Sequence, residues 1–126
     1  MNPDDSSAWA RLAEDDWRLA VSLLRRKRLP VSGICFHAQQ SAEKYLKSLL
    51  VSRQIFFPKT HDLVFLNSLC EKNGIISGFA EEELMLLTEF AVQVRYPGEE
   101  PDETDARRAV EIARAVRAFA RRWLGV

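Results

Sequence analysis

The sequence predicts an all-α protein, an up-and-down helical bundle of four to five helices filling residues 1–126 as one domain. Three observations carry that prediction. Apolar residues recur at three and four residue intervals over long stretches, no run alternates convincingly with the period of two that a half-buried strand needs, and Pro30, Pro58, Gly74, Gly78 and Pro97 fall between the periodic stretches. A chain of 126 residues suits one domain, large enough to bury about two thirds of the surface its unfolded form exposes.

The first helix is expected to begin between Asn2 and Ser6, with Asn2 before Pro3 or Ser6 itself as the cap, and to run to about Arg28. Its apolar stripe is Trp9, Leu12, Ala13, Leu19, Ala20, Leu23 and Leu24. Arg25, Arg26, Lys27 and Arg28 gather at its negative end, where they complement the helix dipole, although the same cluster suits phosphate. Asp16 sits at the edge of the apolar stripe, where an unpaired carboxylate is costly, so a partner is expected, with Arg95 as one choice.

Leu29-Pro30 breaks the chain, and a second helix follows over residues 31–53. The rest of the protein is organised around it. Val31, Ile34, Cys35, Ala38, Ala42, Tyr45, Leu46 and Leu49 form its core side. His37, Gln40, Lys44 and Lys47 share one polar stripe, and Gln39, Glu43 and Lys47 the next, with Glu43 four residues before Lys47 for an ion pair. This polar side is either a solvated surface or a ligand-binding face.

A connector, residues 54–59 (QIFFPK), brings Phe56 and Phe57 to plug the end of the bundle. Thr60 is the expected cap of a third helix carrying Asp62 in its first turn and Leu63, Leu66, Leu69 and Cys70 inside, closed by Gly74. His61 reads as a helix-start residue bonded locally, or as a ligand-binding group. A fourth helix is expected from Phe79 or Ala80 to Arg95, with Glu81, Glu82 and Glu83 in its first turn, stopped by Tyr96-Pro97-Gly98. After an acidic loop, residues 99–105, the fifth runs from about Thr104 to Leu124, its inner face made of Ala106, Ala109, Val110, Ala113, Val116, Ala120 and Trp123.

Composition removes several functions. The 18 basic and 18 acidic side chains cancel, so the global positive field of a non-specific nucleic-acid binder is missing and any polyanion contact is local. Cys35 and Cys70 fall on apolar faces without metal-ligand spacing, which implies buried thiols in a reducing, cytoplasmic setting. The start, MNPDDSSAW, is acidic, and no apolar run approaches the roughly 18 residues of a membrane span, so neither secretion nor a membrane partner is expected. Neither His37 nor His61 has a Glu three residues before it, as di-iron bundles require, so no metal and no cofactor is expected. Gly-rich phosphate loops, Walker A sequences and Gly-x-Ser-x-Gly elbows are absent.

Residues 36–47 (FHAQQSAEKYLK) resemble the second-helix signature of HEPN domains, small helical proteins of prokaryotes and some eukaryotes. Asp16, Trp17, Leu19 and Ala20 resemble that family's first helix, residues 58–63 (PKTHDL) its loop into the third, and Arg95-Tyr96-Pro97 the end of its fourth. In catalytically active members the resemblance implies an Arg at this last place, followed four to six residues later by a His, the pair from two subunits cleaving RNA at the 2′-hydroxyl. Here Arg95 is followed by no histidine at all. Related chains without the His are read as nucleotide- or RNA-associated modules beside a minimal nucleotidyltransferase in toxin-antitoxin pairs.

The leading expectation is therefore a HEPN-like homodimer that binds a nucleotide, RNA or a nucleotidyltransferase through His37, Gln40, Lys44, Lys47, Arg95 and Tyr96, a reading that requires no catalysis of its own. Arg95 suits forked contact with phosphate. Two alternatives stand beside it. One is a metal-independent ribonuclease in which Arg95 works with a relocated histidine, His61 foremost, or with Tyr96 or Glu99. The other is a protein-contact adaptor with Trp17, Trp123 or the Phe56-Phe57 pair at its interface.

Overall fold

The structure is a computed structural model that describes residues 5–91 and 96–126. Those residues form five helices and no strand: α1 (Ser6–Leu24), α2 (Val31–Ser52), α3 (Leu63–Lys72), α4 (Glu81–Glu89) and α5 (Glu103–Leu124). The architecture is the all-α bundle that the periodicity predicts. α2 is its axis, packing against each of the other four, most extensively against α1 and then α5. α1 and α2 form an antiparallel hairpin, and α3 and α4 cover the remaining side of α2. One apolar cluster draws on all five helices, with Ala20, Leu46, Leu66, Leu87 and Val110 among its members.

The ends of the helices differ from expectation for local chemical reasons. α1 is capped by Asp5, whose carboxylate accepts from the Ser7 amide at 2.8 Å, rather than by Ser6; Asn2, the other expected cap, lies outside the described residues. It stops at Leu24, so Arg25 to Arg28 lie beyond its last turn. α3 is capped by Asp62, which accepts from the Phe65 amide at 3.2 Å; Thr60 instead accepts from the Asp62 amide. α4 begins at Glu81, one to two residues late, and ends at Glu89 with Phe90 as its cap. α5 begins at Glu103 because Asp102 and Asp105 close a reciprocal capping box, each side chain accepting from the other's amide at 2.8–2.9 Å.

Two helix ends use the same chain reversal. After α3, the Gly74 amide donates to the Glu71 carbonyl and the Ile75 amide to the Cys70 carbonyl, with Gly74 at φ +85° and Ile75 fully buried. After α2, Gln54 and Ile55 make the same two bonds to Val51 and Leu50, but Gln54 occupies the left-handed position at φ +59°.

Burial corrects several assignments made by periodicity. Trp17, offered as an interface residue, is buried, while Leu19 of the expected stripe is exposed. Phe56 is 89% exposed and plugs nothing; only Phe57 turns in, meeting Trp9 edge to face at 6.3 Å. The second helix departs furthest from a two-faced pattern, because Gln39, Ser41, Glu43, Lys47 and Ser48 are as buried as its apolar side. A helix surrounded by four neighbours has no large solvated face.

Candidate functional site

The polar residues of α2 form two hydrogen-bonded groups, one against α1 and one against the loop that precedes α3. At one end, Asp16 of α1 takes two partners from α2: the His37 Nδ1 at 2.9 Å and the Lys44 ammonium at 2.6 Å. The expected partner for Asp16 thus exists, supplied by α2. His37 and Lys44 each remain about a quarter exposed, so this end reaches the surface.

At the other end, Gln40 donates to the Gln39 side-chain carbonyl at 2.8 Å. Gln39, fully buried, donates in turn to Glu43 Oε1 at 3.1 Å and to the His61 carbonyl at 3.3 Å. Glu43 is the hub. Its Oε2 accepts from Lys47 at 2.9 Å and its Oε1 meets His61 Nδ1 at 2.8 Å. The Glu43 and Lys47 side chains are 4% and 9% exposed, whereas that of His61 is 70% exposed. A buried carboxylate therefore holds a solvent-facing imidazole.

Lys47, expected on the ligand face, lies inside. Its ammonium sits 5.6 Å and 5.8 Å from the ring centroids of Trp9 and Phe57, which complete its shell. There it fixes Glu43. Burial pushes the Glu43 carboxyl upward, but the bonds from Lys47, Gln39 and His61 outweigh burial and the net shift is downward. An ionised carboxylate only accepts, so the His61 Nδ1 is the donor to Glu43, and whenever the ring is neutral its lone pair is on Nε2. Such a ring can accept a hydrogen bond from a ligand or take a proton as a base.

Sequence reasoning missed a second polar group, between α1, α2 and α5. Arg117 grips Glu14 with two bonds of 2.8 Å, the Tyr45 hydroxyl also donates to Glu14, and Arg121 lies 3.5 Å from that hydroxyl. Arg117 holds the Glu14 carboxyl down at about 2 despite burial, with Tyr45 helping. Burial and Glu14 together push the Tyr45 phenol up. Arg114 and Arg117 pack on Trp17, at 5.2 and 5.3 Å. This group braces α5 against the hairpin.

Among the remaining candidates, Tyr96 is 77% exposed in the segment between α4 and α5, and its hydroxyl bonds to neither group. Arg95, the foremost catalytic and ligand-binding candidate, lies outside the described residues. Among those residues no cluster of three or more His, Cys, Asp or Glu side chains is arranged to hold a metal ion. No helix among them is long and apolar enough to cross a membrane.

Similarity to known proteins agrees with the architecture. No protein of curated function matches the chain. Two crystal structures share the fold at a TM-score of 0.70 and 22% identity each. One is TT1696 from Thermus thermophilus, over 93% of this chain and 96% of that one. The other is ST0689, an archaeal HEPN homologue, over 98% and 99%. The HEPN domain model matches residues 6–123, which span the Asp16–His37–Lys44 end, the Glu43 hub and all but the last residue of α5. The chain belongs to the HEPN domain family.

Proposed function

We propose that the chain is a HEPN-type binding module, a homodimer that takes a nucleotide or RNA at the polar face of α2 and serves as the partner of a minimal nucleotidyltransferase in a toxin-antitoxin pair. The observation that supports this reading is the exposed His61 imidazole fixed on buried Glu43. A ring committed through Nδ1 presents Nε2 in one orientation, as an acceptor for a base amino group or a ribose hydroxyl. Asp16 and Glu43 balance Lys44 and Lys47, so recognition here runs on directional hydrogen bonds, and phosphate is left to Arg95. His37, Gln40 and Lys44 flank the ligand, and Lys47 acts from inside.

The protein has only two histidines, which gives a direct test. NMR signals of the two rings, assigned with His37→Gln and His61→Gln, are followed while AMP or a mixed single-stranded RNA is added. The His61 signal is expected to move first; two unmoved rings at millimolar nucleotide and saturating RNA overturn the reading. Light scattering at micromolar concentration tests the homodimer, and a monomer mass rejects it.

The same dyad favours a second reading, a metal-independent ribonuclease in which His61 replaces the histidine missing after Arg95. A carboxylate-held imidazole is a competent general base for a 2′-hydroxyl. Cleavage of an RNA pool that disappears in both His61→Ala and Arg95→Ala establishes it, and RNA left intact at high protein concentration removes it.

A further inference from the structure

The turn between α1 and α2 carries Arg25, Arg26, Lys27 and Arg28, and all four are exposed. The helix dipole gives these cations one reason to be there, yet the Ser22 and Leu23 carbonyls at the end of α1 are already met by backbone donors. The Arg25 amide donates to Ser22 and the Arg26 amide to Leu23, and none of the four side chains bonds to a carbonyl or carboxylate among the described residues. Elsewhere in the bundle, Arg18, Lys44, Lys47, Arg107, Arg114 and Arg117 each reach an acid. In a chain of zero formal charge, four unpaired cations in consecutive positions form a local positive field.

The turn is also held in place. Leu29 packs on the core, Pro30 is half-buried, and the Val31 amide donates to the Leu29 carbonyl at 3.0 Å. The cations therefore project from a fixed base, and little ordering is needed on binding. Three of the four are arginines, whose guanidinium forks match phosphate oxygens. No large apolar side chain is exposed between residues 20 and 30. A membrane-inserting surface or a protein hot spot needs one, whereas a nucleic-acid backbone does not.

We infer that the α1–α2 turn is a binding site for the phosphate backbone of single-stranded nucleic acid, separate from the His61 site. It rests on the proposed function only for the class of ligand. Val31 and Glu43 are 12 residues apart on α2, about 18 Å along the helix axis, so a strand a few nucleotides long spans both sites. The turn supplies sequence-independent affinity and the His61 end contacts bases or sugars.

The test measures binding of the full chain to a mixed 20-nucleotide single-stranded RNA across a salt series. The set is wild type, a variant with Arg25→Gln, Arg26→Gln, Lys27→Gln and Arg28→Gln, and a charge-keeping variant with lysine at the three arginine positions. Wild type is expected to bind. Neutralising four phosphate contacts is expected to lower the slope of log affinity against log salt by about 3, with at least a tenfold loss at low salt. The lysine variant keeps the slope, and both variants keep the wild-type melting temperature because the side chains are exposed. An unchanged slope in the glutamine variant overturns the inference while RNA binding itself stands. Binding to phosphatidylserine vesicles but not to RNA overturns it in favour of a membrane surface. Absence of RNA binding, with His61 still responding to AMP, overturns the turn site and leaves the nucleotide reading intact.

Discussion

Glu43 shows what a single residue decides in this bundle. It sits four residues before Lys47 and four after Gln39, so helix geometry alone lines the three up, but only burial makes the arrangement consequential. Removing one partner leaves the other as an uncompensated buried charge, which costs about 3–5 kcal/mol. Glu43→Ala is therefore expected to destabilise by that order in urea unfolding and to release the His61 ring. The double variant Glu43→Leu/Lys47→Met should lose clearly less than the sum of the single changes; additivity would mean that the pair is not coupled. Glu14 sets a pH dependence of known sign. Its carboxyl is lowered from 4.5 to about 2 in the fold, so the stabilisation it gives is fully present above pH 4.5 and is lost as the pH falls toward 2. With part of the shift screened by solvent, the loss is on the order of 1–2 kcal/mol. Wild type should weaken over that window, and Glu14→Gln should show a shallower decline from a lower stability at pH 7.

At the scale of the element, helix boundaries were the least legible part of the sequence. Asp5 and Asp62 each took the cap position from a neighbour named by pattern, and Asp102 caps a helix for which the pattern named no cap, because capping requires an extended backbone with a side-chain oxygen within reach of the second or third amide. Composition in the neighbourhood suggests several such oxygens and geometry selects one. The capping box of α5 is worth about 1 kcal/mol, so Asp102→Ala should lower stability by that amount in thermal unfolding. Gln54 offers the opposite change. It holds a left-handed position that Gly74 fills after α3, and Gln54→Gly is expected to stabilise the protein by about 0.5–1 kcal/mol. A destabilised variant would show that the Gln54 side chain supplies more than the strain costs.

For the molecule as a whole, the central position of α2 matters most. Each other helix covers part of it, so its buried polar residues had to be satisfied internally, and all but one are: among the described residues, Ser41 Oγ of α2 alone is a buried polar side-chain atom without a partner. A core shared by five helices should open as a unit. Cys70 reports on that opening, since burial pushes its thiol up to about 12 and leaves it 1% exposed. Reaction with a thiol reagent at pH 8 is expected to be slow and to track global unfolding as denaturant is added. Immediate reaction in buffer would mean that the α2–α3 packing opens locally.

The sequence by itself determined the fold class, the order of the helices, most of their core residues and the family, because each depends on periodicity or on residues close together in the chain. The Gln39–Glu43–Lys47 row was legible for the same reason. The tertiary structure alone decided that this row is buried, that Asp16 belongs to His37 and Lys44, that Glu14 belongs to Arg117, and that Trp17 lies inside. It also decided that His61, 18 residues from Glu43 in sequence, bonds to it. Spacing along one helix orients side chains around an axis, but it carries no information about which other element covers them. The chemistry of this protein depends on that covering, which turns a polar helix face into a buried carboxylate with one exposed imidazole.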